Sequence, residues 1–113
     1  GYDIGDTSTA DAHDLNFFNN VLHADYISDA PAGLPSHFYS VIPLSSTPVY
    51  MNLSFDDGSH GTYNVAYPDA IKPFDDYAVP LSQYAGSPSE SGFAAIASSN
   101  SVGNKTVYLA FPF

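Results

Sequence analysis

Between residues 11 and 27, apolar side chains recur at about one helical turn. Ala12, Leu15, Phe18, Leu22 and Tyr26 form a stripe that Phe17, Val21 and Ala24 widen, and this period predicts one amphipathic helix over residues 11–27. Thr9 or Asp11 can cap its first turn, where Asp11 and Asp14 also place negative charge favoured by the helix dipole. Ser28 to Pro35, with two prolines and a glycine, ends it. Beyond this point the period changes to two. Val49, Met51, Leu53 and Phe55 alternate with Tyr50, Asn52 and Ser54, the pattern of a strand with one buried face. Asp56 to Gly61 reads as a turn, because Asp and Gly tolerate the backbone angles of a reversal, and a second strand at Tyr63–Tyr67 would close a hairpin. Residues 68–92, broken by Pro68, Pro73, Pro80 and Pro88, are expected to be mostly loop with a short strand near Ala78–Leu81. Phe93–Ala97 and Thr106–Phe111 then flank a Ser/Asn/Gly turn and predict a closing hairpin. The expected fold is α/β or α+β, a mixed and mostly antiparallel sheet of five or six strands with one principal helix.

The 113 residues, 44% hydrophobic and 15% aromatic, suffice for one core and one domain spanning 1–113. Twelve acidic residues face only Lys72 and Lys105, for a formal net charge of -10. Nucleic acids and anionic membranes are therefore excluded as expected partners, since both need a basic patch. Such a field favours solubility, cations or a basic partner. Cysteine is absent, so no disulfide, thiolate nucleophile or Cys-ligated zinc site can form. No run approaches the length of a membrane-spanning helix, and none of these residues is expected to be a signal peptide. The wealth of Asp, Ser and Asn resembles exported bacterial proteins of salty or cold habitats. The start at Gly1 without Met and the stop inside an apolar run at Phe113 are expected of a segment of a larger protein.

Candidate chemistry is sparse. On one continuous helix His13 and His23 would lie almost three turns apart, which prevents them from gripping one zinc ion; His23 is expected to pack at the helix edge with its ring hydrogen-bonded. Asp3, Asp6 and Asp11, and separately Asp56 and Asp57, offer hard oxygen ligands suited to calcium. Neither group has the spacing of a calcium loop, and helix capping and turn formation account for the same residues. No G-x-S-x-G elbow is present for a nucleophilic serine. Glu90, the only glutamate, stands among serines and lacks a partner for glycosidase chemistry. Tyr39, Tyr50, Tyr63, Tyr67, Tyr77, Tyr84 and Tyr108 could form an aromatic platform for sugars; on strands they equally serve as half-buried residues with a wet hydroxyl. Asn52-Leu53-Ser54 and Asn104-Lys105-Thr106 match the glycosylation acceptor pattern, which acts only in a eukaryotic secretory route.

Five segments carry a family resemblance: Gly1-Tyr2-Asp3-Ile4-Gly5, Val21-Leu22-His23-Ala24-Asp25-Tyr26, Tyr67-Pro68-Asp69-Ala70-Ile71, Gly92-Phe93-Ala94-Ala95-Ile96 and Val107 to Phe113. Together they resemble an accessory region of secreted bacterial multidomain proteins, subtilisin-like serine peptidases among them, that is distantly similar to the second half of class I glutamine amidotransferase-like domains. The resemblance implies that Gly1–Gly5 is the turn after a sheet strand, that the helix covers one sheet face and that the last two strands complete the sheet. Amidotransferase chemistry needs a cysteine that this chain lacks, and a peptidase triad would belong to another domain. The expected role is thus a non-catalytic accessory domain of an exported, extracellular or cell-surface protein, partnered by other domains of the parent chain, by protein or by polysaccharide, and able to self-associate through sheet edges. No cofactor is expected beyond calcium. A carbohydrate-binding β-rich module and a hydrolase fragment are the alternatives.

Overall fold

The computed structural model describes residues 4–44, 52–61 and 63–111. Among the described residues one α-helix, α1 (Ala12–Asn20), is followed by seven strands: β1 (Ala24–Asp29), β2 (Ser40–Pro43), β3 (Leu53–Ser54), β4 (Asp69–Pro73), β5 (Ala78–Tyr84), β6 (Ala95–Ser99) and β7 (Lys105–Leu109). They form a five-stranded sheet, β3-β2-β5-β6-β7, and a two-stranded sheet, β1-β4. Every strand pair is antiparallel, so the chain has an α+β fold with a single main helix.

Asp11 starts α1 with a capping box: its carboxylate accepts from the His13 and Asp14 amides, and Asp14 reaches back to the Asp11 amide. The helix is shorter than its apolar stripe predicts. The Val21 and Leu22 amides both donate to the Phe17 carbonyl, His23 takes a positive φ of 56°, and Ala24 enters β1 opposite Pro73. Leu22 and Tyr26 still pack on the core that Phe18 enters, but they do so from the turn and the strand. Residues 24–29 instead pair with β4, and tertiary structure overrides local period.

Two apolar clusters lie on opposite faces of the large sheet. Phe18, Ala24, Ile71, Ala78, Ile96 and Ala110 form one, beneath the helix; Phe38, Val41, Tyr84, Ala94, Ala95 and Phe111 form the other. Adjacent residues Ala95 and Ile96 belong to different clusters, so β6 is buried on both faces. A bulge between Pro80 and Ser82 in β5 changes the parity of that strand, putting Tyr84 opposite the helix even though Ala78 faces it. Pro80 is tolerated because, among the described residues, β2 pairs only with Ser82–Tyr84 and demands no donor further along. The two sheets are joined by a reciprocal bridge between Ile71 and Phe93 and by the buried Tyr84 hydroxyl, which donates to the Asp69 and Ala110 carbonyls at 2.7 and 3.1 Å.

Other expectations are corrected. Residues 63–67 are not a strand, although the Val65 amide returns to the Asp56 carbonyl. In the stretch 68–92 the strand expected near Ala78–Leu81 forms and runs on to Tyr84 as β5, while β4 is a strand where loop was expected, since the prolines fall at strand ends, beside the bulge or outside the strands. Of the alternating run 49–55, residues 49–51 lie outside the described residues; among residues 52–55, Leu53 and Ser54 form strand, paired with β2. The closing hairpin forms as β6 and β7 in continuous register.

Candidate functional site

His23 is a buried titratable side chain with an ion-pair partner. It follows α1 directly, and its ring is brought against the β4–β5 connection because its own carbonyl accepts from the Phe74 amide at 2.9 Å. Nδ1 lies 2.8 Å from Asp75 Oδ2, and the His23 side chain is only 9% exposed. Tyr77 tilts over the ring at 5.5 Å between centroids. The ring is therefore hydrogen-bonded, as expected, but at a strand entry and not on the helix, so the helical separation from His13 does not apply. His13 is exposed on α1.

Beside His23 lies a pocket of about 300 Å³, also lined by Asn20, Ser98, Asn100, Asn104 and Thr106. β6 and β7 set Ser98 opposite Thr106, and the two hydroxyls share a hydrogen bond. Among the described residues no serine hydroxyl bonds to the His23 ring. A carboxylate orienting an imidazole is half of a catalytic relay; the nucleophile bonded to the other nitrogen is what a complete relay would add.

The second cluster is the turn after β3. The carboxylates of Asp56 and Asp57 and a His60 nitrogen lie within 4.8 Å of one another. Their oxygens already serve the turn: Asp56 Oδ1 accepts from the Gly58 and His60 amides at 2.7 and 3.3 Å, and Asp57 Oδ1 from the Ser59 amide at 2.9 Å. The Ser59 hydroxyl and backbone hold the Asp57 carboxyl below the usual range. His60 Nδ1 approaches Ser59 Oγ at 3.0 Å and Asp56 at 3.6 Å, so one nitrogen faces both hydroxyl and carboxylate, unlike a relay, which uses opposite nitrogens. Asp6 is likewise a turn residue: the Ser8 amide and hydroxyl donate to it at 2.8 Å and keep its carboxyl low. Asp3 lies outside the described residues, and among the described residues no ligand cluster includes Asp6. Glu90 is exposed and accepts from the Ser89 hydroxyl.

The tyrosines divide. Tyr84 is core, Tyr39 donates to Asn64, Tyr77 covers His23, and Tyr50 lies outside the described residues. Tyr63 and Tyr67, 75% and 64% exposed, stand with Tyr108 and Asp69 around an open groove of about 290 Å³. Sequence spacing did not reveal this groove, because β7 and the 63–68 loop meet only in the fold; nor did it reveal the His23–Asp75 pair, separated by 52 positions. No protein-family model, curated protein or solved structure matches the chain.

Proposed function

We propose that this chain is a non-catalytic accessory module of a larger exported bacterial protein, with a subtilisin-like serine peptidase as the parent, and that it binds a partner instead of making or breaking bonds. Its partners are the parent's other domains and, beyond them, protein or polysaccharide at the cell surface. The observation that carries this reading is the groove between Tyr63, Tyr67 and Tyr108: exposed aromatic rings beside Asp69 provide contact area at small entropic cost, the usual equipment of a binding surface. The short peptidase-accessory motifs in the sequence support the same assignment, as does a surface whose carboxylates mostly hold turns and caps.

The test uses the chain and the domain adjacent to it in its own reading frame. Calorimetry is expected to show saturable binding that is weakened at least about tenfold by Tyr63→Ala or Tyr67→Ala, the effect of losing an aromatic anchor. A free-standing short gene, or turnover by the isolated chain that disappears in His23→Ala, would overturn the reading; the latter result is the one a hydrolase fragment predicts. The same groove also favours a second reading, a carbohydrate-binding β-rich module, in which the exposed Tyr faces stack on sugar rings. Retardation in polysaccharide-containing gels, lost in Tyr67→Ala, would select it.

A further inference from the structure

We propose that the pocket beside His23 binds a small neutral polyhydroxy ligand, of the kind a single sugar ring presents. His23 is nine-tenths buried, and Asp75 holds its Nδ1. A carboxylate at that nitrogen keeps the proton there, so neutral imidazole has its lone pair on Nε2. His23 lines the pocket, whereas Asp75 does not; Nε2 is the ring nitrogen left to serve a ligand, and no described side chain bonds to it.

The remaining lining is amide and hydroxyl. Asn100 Oδ1 is occupied by the Val102 and Asn104 amides, which leaves its NH₂ group to donate. Asn20 Nδ2 donates to Asn16, leaving Oδ1 to accept. Asn104 offers both kinds of group, and the Ser98–Thr106 pair has one hydroxyl hydrogen to spare. The lining thus offers both donors and acceptors, with no Lys, Arg, Asp or Glu among its residues. Ligand hydroxyls, each donor and acceptor at once, satisfy such a set. A phosphate or carboxylate would find no Lys or Arg in the lining and would enter against the net charge of -10. The volume of about 300 Å³ holds roughly ten waters at about 30 Å³ each, the space of one ring-sized molecule. Val21 supplies an apolar patch for its C–H face.

Nuclear magnetic resonance titration tests this directly, following the side-chain amide signals of Asn100 and Asn104 and the imidazole of His23. The probes are glucose, galactose, mannose and N-acetylglucosamine, with glucuronate and galacturonate as charged counterparts. At least one neutral sugar is expected to give a saturable shift below about 50 mM, in the range of a millimolar site, and the uronates less than a tenth of it. Asn104→Ala, on an exposed turn, should weaken binding about two- to tenfold, the effect of one neutral hydrogen bond. Tyr67→Ala should leave the response intact, which separates this pocket from the tyrosine groove and its partner. No saturable shift with any neutral sugar, an equal response to uronates, or an unchanged response in Asn104→Ala would overturn the proposal.

Discussion

Gly92 has φ 94° and ψ -177°, a conformation that is open to glycine and almost closed to every other residue. A Cβ there would sit 2.7 Å from Ile27 Cδ1 and 3.0 Å from the Ile71 carbonyl oxygen, inside the seam between the two sheets. Gly92→Ala is therefore expected to cost roughly 2–4 kcal/mol, combining backbone strain with overpacking; urea unfolding followed by circular dichroism measures it. Tyr84 occupies the other side of the same seam. Removing its hydroxyl in Tyr84→Phe takes away the one hydrogen that the Asp69 and Ala110 carbonyls share, the Ala110 carbonyl keeping the Asp69 amide, and should cost about 1–3 kcal/mol. Burial, reinforced by Asp69 and Tyr108, pushes the Tyr84 phenol well above the ordinary tyrosine range. A folded-state value above the unfolded one means that this stability is complete below about pH 10 and is lost as pH rises beyond it. In an ultraviolet titration the wild type should show one tyrosine ionising only as the chain unfolds, and Tyr84→Phe should lack that step.

Helix α1 shows how much an element owes to its ends. The Asp14 amide, followed by that of His13, lowers the Asp11 carboxyl, so the cap strengthens folding above the ordinary aspartate range near pH 4 and fades as acid protonates it. Asp11→Ala should lower the melting temperature at pH 7, and the difference from wild type should shrink steadily as pH falls below the ordinary aspartate range; a gap that does not narrow in acid would assign the loss to something other than the charged cap. The beginning of this helix was legible because capping is local: Asp11, Asp14 and the first apolar residue are neighbours in sequence. Its end was not. Leu22 and Tyr26 keep helical spacing yet belong to the β1 side, and the decision rests on β4, more than forty residues away. The converse happened at Tyr63–Tyr67, where strand-forming residues lack a described partner strand and remain irregular. β6 and β7 were legible because their partners are joined by a short turn, whose Asn100 side chain accepts the Val102 and Asn104 amides.

At the scale of the molecule, a net charge of -10 with two lysines is a burden on the folded state. The cross-strand pair Lys72–Asp25, 3.1 Å apart on the surface, relieves little of it. Raising sodium chloride from about 0.01 M to about 0.15 M shortens the screening length from about 30 Å to about 8 Å, so the melting temperature at pH 7 should rise by several degrees, measurable by calorimetry; a flat or falling curve would show that repulsion is not the dominant electrostatic effect. Among the described residues no helix is long and apolar enough to cross a membrane. Composition and short-range pattern determined, by themselves, that the chain has one apolar core's worth of material, an acidic surface, a capped helix, a closing hairpin and no thiol chemistry, since each depends on residue type or on neighbours a few positions apart. Only the tertiary structure decided that the core is split by a doubly buried sheet, that Tyr84 is a bolt between sheets instead of a sugar platform, and that His23 meets Asp75 beside a polar pocket. Those outcomes depend on long-range pairing and on a one-residue bulge in β5, and a linear pattern does not encode which distant strand will satisfy a backbone.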